Sequence, residues 1–253
     1  MSLVFGYWLS ITLRFVLMSS LDSAVLDRPE ISSPVTSYKR LTEGIRLAQD
    51  GGDPYDGEIF HETPLVLRAF EYLHSHGHGP RINSLFIFLD LLTAFALGRL
   101  AQRVAEVMLK RQASEAGEYH EDAADLLVGE EEAGRMAGHV QLAYLFHPYV
   151  VATCAAKATS VVANCGLALF LLAMVSGRRV AACALLAFAT YQSFYPVMLI
   201  VPLCVALHDS SRDIVLEEMR GDCMIASICM LNFDVRYFQA TLHYPHLTQP
   251  VQE

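Results

Sequence analysis

The candidate functional residues in this sequence are polar side chains that lie inside, or directly beside, long apolar stretches. An acid, a lysine and a group of hydroxyl and amide side chains in such positions either hold helices together or meet a polar ligand. Seven of them are candidates for contact with a lipid or its headgroup. They are His61, Glu62, Asp90, Lys157, Tyr191, Gln192 and Tyr195.

Asp90 has the strongest need for a polar partner among these residues, because a charge at membrane depth costs about 3 kcal/mol on insertion scales. It needs either a partner within a helix bundle, for which Lys157 is one candidate, or a place in a headgroup pocket. Arg14 raises the same question, although a long arginine side chain can extend to the membrane interface. Lys157 itself indicates a turn between two short spans, with a phosphate contact as the functional alternative.

The other candidates also have a structural and a functional interpretation. His61 and Glu62 directly precede a Thr-Pro pair, which favours a role at a helix entry over a polar patch for a glycan or a partner subunit. Tyr191, Gln192 and Tyr195 bring polar groups into an apolar stretch. Packing between helices is the favoured interpretation for them, and lipid contact is the alternative.

No metal site and no cofactor are predicted. The run from His74 to His78 alternates three histidines with other residues, but no cysteine or carboxylate follows at ligand spacing. The six cysteines form no CxxC pair, and four of them lie in apolar runs, where a thiol usually behaves as a small hydrophobe.

The composition is that of a membrane protein. Of the 253 residues, 53% are hydrophobic and only 18% are charged, and the mean hydropathy is +0.34. The net charge of −9 provides no basic surface for nucleic acid, which is therefore excluded as a partner.

The apolar stretches predict an all-α polytopic membrane protein with about five transmembrane helices. We favour a retained first span over a cleaved signal peptide, because no basic residue precedes it and no clear cleavage site follows. The two prolines in the last stretch indicate one tilted or kinked span, or one span plus a re-entrant piece. The predicted spans are residues 3–21, 82–100, 140–156, 158–177 and 180–207.

The connecting segments carry most of the charge. The positive-inside rule places the Arg178-Arg179 turn in the cytosol and, by alternation, the 22–81 loop in the lumen. Residues 101–139 contain nine acids and four bases, which predicts an acidic, partly disordered cytosolic connector. Residues 208–253 form a tail whose apolar piece, Cys223 to Phe233, is too short to span.

Two amphipathic helices are predicted in the lumenal loop, lying along the membrane surface. Each begins at a proline-containing pair and ends at glycine, and a turn separates them. The first helix begins at Ser33-Pro34, ends at Gly51-Gly52 and has Leu41, Ile45 and Ala48 on one face. The turn runs from Asp53 to Gly57. The second helix begins at Thr63-Pro64, ends at Gly77 and has Leu65, Ala69, Tyr72 and Leu73 on one face.

Several strings, taken in order, resemble one family over residues 3–207. The most specific are Phe60 to Leu65 (FHETPL) and Ala189 to Pro196 (ATYQSFYP). The chain resembles the class U proteins of phosphatidylinositol-glycan biosynthesis, membrane subunits of the GPI transamidase. The further strings are Ser33-Pro34, Tyr38 to Arg40, Glu43-Gly44, Pro54-Tyr55 with Gly57, Asp90 to Ala94, Pro148-Tyr149 and Ala156 to Thr159.

This resemblance implies a multi-pass protein of the endoplasmic reticulum membrane that is not itself the catalyst. It implies the other transamidase subunits as partners, including a cysteine-protease-like catalytic subunit, together with the GPI lipid. The implied function is to help assemble the complex and to present the GPI lipid or the C-terminal signal of the substrate. Because the family continues beyond this length, we expect a truncated or alternatively spliced form.

The same family distantly resembles the polytopic GPI mannosyltransferases, which provide the alternative function. Those enzymes have an Asp-x-Asp pair just before a tyrosine in the first lumenal loop, where this chain has Val35, Thr36 and Ser37. None of these side chains can act as a base or hold a metal at neutral pH. An enzyme of this type would have to use Glu43, Asp53 or Asp56 as its acid instead. No His or Lys near Asp53 and Asp56 completes an acid–base set. The two aspartates are better explained as turn residues than as catalytic residues.

Overall fold

The computed structural model describes residues 2–20, 28–33, 35–56, 60–76, 79–114 and 127–209. In these ranges all regular secondary structure is helical, which confirms the all-α class. Among the described residues, two helices are long and apolar enough to cross a membrane, and two shorter apolar helices accompany them, at Ser160–Val175 and Tyr195–Val205. The helices are α1 (Leu3–Ser20), α2 (Tyr38–Gln49), α3 (Pro64–His76), α4 (Gly79–Ser114), α5 (Glu130–Leu145), α6 (Pro148–Ala155), α7 (Ser160–Val175), α8 (Arg179–Gln192), a 3-10 turn (Tyr195–Leu199) and α9 (Ile200–Asp209).

Helix α4 is the longest element and is longer than the predicted span 82–100. Its 36 residues extend over about 54 Å, against about 30 Å for the hydrocarbon layer. The helix continues beyond residue 100, the predicted end of the span, because residues 101–114 are good helix formers without glycine or proline, and Arg103 pairs with Glu106 at 3.2 Å. Residues 115–126 of the acidic connector, including those predicted to be disordered, lie outside the described ranges.

Two of the other predicted spans are interrupted. The 140–156 stretch divides between α5 and α6, because the chain leaves α5 at Phe146 and starts α6 at Pro148, in the first helical position. The 180–207 stretch divides at Ser193, whose backbone is extended, before the 3-10 turn that contains Pro196. The 158–177 stretch corresponds to α7.

The long helices pack around α4, which makes its most extensive contacts with α5 and α7, while α8 packs on α7. Helix α5 runs antiparallel to α4, since Asp90 meets Tyr144 and Gly98 meets Gln141. A Cβ atom at Gly98 would lie 2.0 Å from Nε2 of Gln141, so the glycine allows the two helices to approach.

Helices α2 and α3 pack together at the N-terminal end of α4. Their shared core contains Leu41 and Ile45 from α2, Phe70 from α3 and Phe86 from α4. The predicted apolar stripe of α2 is confirmed for its first two residues, which are fully buried or nearly so. The helix begins at Tyr38, after Ser37, and not at the Ser33-Pro34 pair. Ser33 to Thr36 instead forms a turn, and the proline lies outside the described residues.

Helix α3 begins as predicted after Thr63, but its buried face differs from the predicted stripe. Leu65 is 53% exposed and Tyr72 is 64% exposed, so the predicted stripe lies largely on the outer face of the helix, and its contact with the membrane surface stays a prediction. The buried side chains are Val66, Leu67 and Phe70. The helix has apolar residues on both sides, and the face turned toward α2 and α4 is the one that becomes the core. The predicted end at Gly77 and the tail 210–253 lie outside the described residues.

Candidate functional site

Arg14 and Asp90 form a buried ion pair that joins α1 to α4. The Nε atom of Arg14 donates to Oδ2 of Asp90 at 2.7 Å, and a second guanidinium nitrogen also contacts this oxygen. The side chain of Arg14 is 0% exposed and that of Asp90 is 1% exposed. Asp90 has a partner within the bundle, and this partner is Arg14 and not the predicted Lys157.

The surroundings of this pair supply further hydrogen bonds. Nη1 of Arg14 donates to the backbone oxygen of Leu145 at 3.0 Å and to the hydroxyl of Ser10. The hydroxyl of Tyr144 donates to Oδ1 of Asp90 at 2.9 Å. Arg14 therefore does not extend to an interface, because its charge is compensated inside the bundle, where α1, α4 and α5 meet.

A second polar cluster lies where the loop with α2 and α3 meets the turn between α6 and α7. We call it the turn site and define it by Thr36, Tyr38, Glu62, Lys157 and Thr159. The hydroxyl of Thr159 donates to the Glu62 carboxylate, and the N–H of Thr159 donates to the backbone oxygen of Thr36 at 2.9 Å. These bonds attach the loop to the end of the bundle.

Lys157 occupies an unusual position in this cluster. Its backbone has a φ of 55°, in the left-handed region, the one non-glycine residue with positive φ in the described ranges. Its Nζ atom lies 5.2 Å from the centroid of the Tyr38 ring, within the range of a cation–π contact. The side chain thus stays over the start of α2 instead of extending away from the protein.

Partial burial affects the ionisable groups of the turn site. Removal from water lowers the pKa of the Lys157 ammonium group, because it disfavours the charged form. Burial likewise raises the pKa of the Glu62 carboxyl group, while the hydrogen bond from Thr159 acts in the opposite direction. Burial also raises the pKa of the Tyr38 phenol. A ligand bound here would meet a cation and a carboxylate in a partly desolvated setting.

Tyr191 connects the end of α8 to the same region. The N–H of Leu65, at the start of α3, donates to the Tyr191 hydroxyl at 3.3 Å. His61 is exposed beside Glu62, and Tyr195 is 82% exposed. The Nε2 atom of Gln192 is buried and has no hydrogen-bond partner among the residues that the structure describes.

The structure therefore brings together four of the seven predicted residues. Of the others, Gln192 directly follows Tyr191, Tyr195 lies just beyond the end of α8, and Asp90 lies inside the bundle with Arg14. The four residues at the loop end of the bundle are His61, Glu62, Lys157 and Tyr191. Thr36 and Thr159 lie at the same end, but they were not among the residues predicted from the sequence. Thr159 belongs to the Ala156 to Thr159 string, so the string was a usable signal, whereas nothing in the sequence distinguished Thr36.

The loop acids proposed for glycosyl transfer have structural roles or lie on the surface. A side-chain oxygen of Asp53 accepts the N–H of Tyr55 at 2.9 Å, the hydrogen bond of an Asx turn. Glu43 is half-exposed and pairs with Arg40 at 3.4 Å. Asp56 is exposed in the same turn as Asp53.

The sequence strings that build this region also decide the family. The family model described as "GPI transamidase subunit PIG-U" matches residues 8–241. The chain belongs to the PIG-U family. The match includes the loop helices, the turn site and the end of α8, and it continues beyond residue 207, where the recognisable strings end.

Curated relatives agree with the PIG-U assignment. The human "GPI-anchor transamidase component PIGU" is 37% identical over 196 residues, which cover 76% of this chain and 44% of the human protein. The Cricetulus griseus protein of the same name is 36% identical over the same length. The Saccharomyces cerevisiae "GPI transamidase component GAB1" is 22% identical over 188 residues. The chain thus spans less than half the length of the relatives that it matches.

Proposed function

We propose that this chain is a non-catalytic subunit of the GPI transamidase that helps assemble the complex and presents the GPI lipid or the C-terminal signal of the substrate. The observation that carries the proposal is the PIG-U family match over residues 8–241. The human relative, which matches three quarters of the chain, is named as a component of the transamidase. The partners are the other subunits of the complex, including its cysteine-protease-like catalytic subunit.

An accessory role is also favoured by the chemistry of the loop. The positions before Tyr38 are Val35, Thr36 and Ser37, which offer no carboxylate for a glycosyl-transfer step. The backbone oxygen of Thr36 accepts a hydrogen bond from Thr159, so this segment connects the loop to the bundle.

We place the protein in the endoplasmic reticulum membrane as a multi-pass chain, with the turn site on the lumenal side. The contacts of Thr36 with Thr159 and of Leu65 with Tyr191 are at the end of the bundle that carries the loop. The Arg178-Arg179 turn lies at the other end of α7, which agrees with a cytosolic location under the positive-inside rule.

The turn site is the proposed contact region for the lipid headgroup. Glu62 and Lys157 supply charge, and His61 and Tyr191 supply polar groups beside them. Gln192 and Tyr195, at and beyond the end of α8, follow Tyr191 along the chain and complete the proposed contact region. Asp90 stabilises the bundle through its ion pair with Arg14, so it is not part of the proposed headgroup contact region.

The test is complementation of cells that lack the class U subunit. We expect the chain to restore GPI-anchored proteins at the cell surface and to co-purify with the other transamidase subunits. Co-purification without restored anchoring would limit the role to assembly and contradict the presentation step. Absence of both, with the protein present in the membrane fraction, would contradict the proposed function.

A further inference from the structure

We infer that the outer side of the break between α5 and α6 binds a transmembrane helix of a partner subunit, through an amide or hydroxyl side chain of that helix. The two helices are interrupted at Phe146 and His147. We call the exposed side of this interruption the break surface and define it by Ala143, His147 and Tyr149. This inference rests on the proposed function and specifies one contact between the chain and the complex.

The break lies at membrane depth. Asp90 is near the middle of the apolar part of α4, residues 82–100, and it accepts a hydrogen bond from Tyr144 in the last turn of α5. On the other side of the break, the eight residues of α6 extend over about 12 Å before the turn that carries Lys157. Half of the hydrocarbon layer is about 15 Å thick, so His147 lies inside this layer.

The bundle satisfies part of the interrupted backbone. Nη1 of Arg14, in α1, donates to the backbone oxygen of Leu145 at 3.0 Å. The N–H of Val151 donates to the backbone oxygen of His147 at 3.0 Å. These two oxygens therefore have donors within the chain.

The break surface contains polar groups without such partners. In a continuous helix the N–H of His147 would donate to the oxygen of Ala143, but it donates to the oxygen of Tyr144 at 3.2 Å, and Pro148 has no N–H. Ala143 and His147 are exposed, and Tyr149 is 64% exposed. The rings of His147 and Tyr149 lie 6.1 Å apart, and neither side chain forms a hydrogen bond with any residue that the structure describes.

Lipid chains cannot form hydrogen bonds with these groups. Non-helical backbone at membrane depth is tolerated where protein covers it or where it lines a water-filled cavity, and a histidine in a span follows the same rule. A transmembrane helix can cover the break surface because its own backbone is already hydrogen-bonded.

The groups of the break surface also indicate the chemistry of the partner. An amide side chain has donors for the Ala143 oxygen and an acceptor for a ring N–H of His147, and a hydroxyl group can make either contact. A charged side chain is disfavoured, because the break surface has no carboxylate or lysine to compensate a charge within the membrane. We therefore expect Asn, Gln, Ser or Thr in the partner helix, at the depth of His147.

The experiment is site-specific photocrosslinking of the full chain in cells that lack the class U subunit. A benzophenone amino acid replaces Tyr149 and, in the control, Phe88, which is 60% exposed on α4 near the depth of Asp90. We expect the probe at position 149 to form an adduct with another transamidase subunit. Mass spectrometry should locate this adduct in an apolar span that contains Asn, Gln, Ser or Thr, and the probe at position 88 should not label that span. Adducts with lipid alone, with a second copy or with another part of this chain would overturn the inference.

Substitutions of His147 test the hydrogen bond itself. His147→Leu should lower the yield of the adduct at position 149 about three- to tenfold, and His147→Gln should retain it, because an amide can replace the imidazole. An unchanged yield in His147→Leu, or an equal loss in both variants, would overturn the inference. Because the imidazole is exposed, His147→Leu should unfold in detergent at the same temperature as the unchanged chain. A lowered midpoint would indicate a role in the fold of the chain itself and would also overturn the inference.

The proposed function and this inference fail in different ways. If the chain restores anchoring but the probe at position 149 labels no partner helix, the inference fails alone. If the chain neither restores anchoring nor co-purifies with the transamidase, and the probe labels a polar position in a span of another membrane protein, the proposed function fails and the break surface remains a helix-binding site.

Discussion

The Arg14–Asp90 pair allows a prediction at the scale of single residues. Replacing one partner, as in Arg14→Met or Asp90→Leu, leaves an unpaired charge inside the bundle and should cost about 3–5 kcal/mol. The double variant should be markedly more stable than the sum of the two single changes implies, because no charge remains. Thermal unfolding of the four proteins in detergent provides the double-mutant cycle.

An exposed ion pair provides the control for this cycle. Arg68 pairs with Glu71 at 2.9 Å, and the arginine side chain is 77% exposed. Arg68→Gln should therefore cost less than about 1 kcal/mol. Additive effects of the Arg14 and Asp90 substitutions would contradict the buried pair.

Glu62 allows a second prediction at this scale, on pH dependence. Burial raises its pKa above the ordinary value of 4.5, so the folded protein holds this proton more tightly than the unfolded chain does. The corresponding stability is present below pH 4.5 and is lost as the pH rises through the raised pKa. Glu62→Gln should remove this loss, so its stability relative to the unchanged protein should increase with pH across this window.

The measurement is hydrogen exchange or limited proteolysis of residues 60–76 as a function of pH, in the unchanged protein and in Glu62→Gln. Glu30→Gln, on the exposed part of the same loop, controls for a general loss of negative charge. A difference between Glu62→Gln and the unchanged protein that does not vary with pH would exclude titration of Glu62 as the cause.

At the scale of elements, two glycines in helices have opposite expected effects. A Cβ atom at Gly44 in α2 would lie 2.5 Å from the Phe60 ring, which is itself packed edge-on against Tyr55 at 5.2 Å. Gly44→Ala should therefore destabilise the loop by about 1–3 kcal/mol through overpacking. Gly138 in α5 has nothing within 4 Å of its Cβ position, so Gly138→Ala should stabilise the protein by about 0.5–1 kcal/mol.

Thermal unfolding of these two alanine variants checks the prediction. The same substitution in two helices separates the effect of local packing from that of helix propensity. Helix propensity alone would stabilise both the Gly44→Ala and the Gly138→Ala variant. Equal shifts in the midpoint would show that the Phe60 ring moves aside without cost.

At the scale of the whole molecule, the direction of the bundle predicts the sidedness of its ends. An N-glycosylation acceptor inserted between Asp50 and Gly51, in an exposed turn of the loop, should be modified in the lumen. The same insertion before Gly129, near the basic end of α4, should remain unmodified. Glycosidase-sensitive shifts on gels measure both, and the reverse pattern would contradict the proposed orientation. Extraction of the protein by carbonate would contradict membrane integration.

Features that depend on local composition and residue order could be predicted from the amino-acid sequence. The apolar stretches established the membrane character, Thr63 and Pro64 located the start of α3, and the Asp53 turn followed from turn chemistry. The family followed from strings such as Phe60 to Leu65, which the family match includes. Each of these inferences uses residues that are close together along the chain, so no knowledge of distant contacts was required.

The contacts between residues that are distant along the chain became known from the packing of the helices. Arg14 and Asp90 are 76 positions apart, and Glu62 and Thr159 are 97 apart, so their pairing depends on how the helices pack. The buried face of α3 also depends on packing. The helix has apolar residues on both sides, and the face that contacts α2 and α4 becomes buried. Sequence patterns rank the candidates for burial or charge pairing, but the free energy of each contact depends on the neighbour that packing supplies.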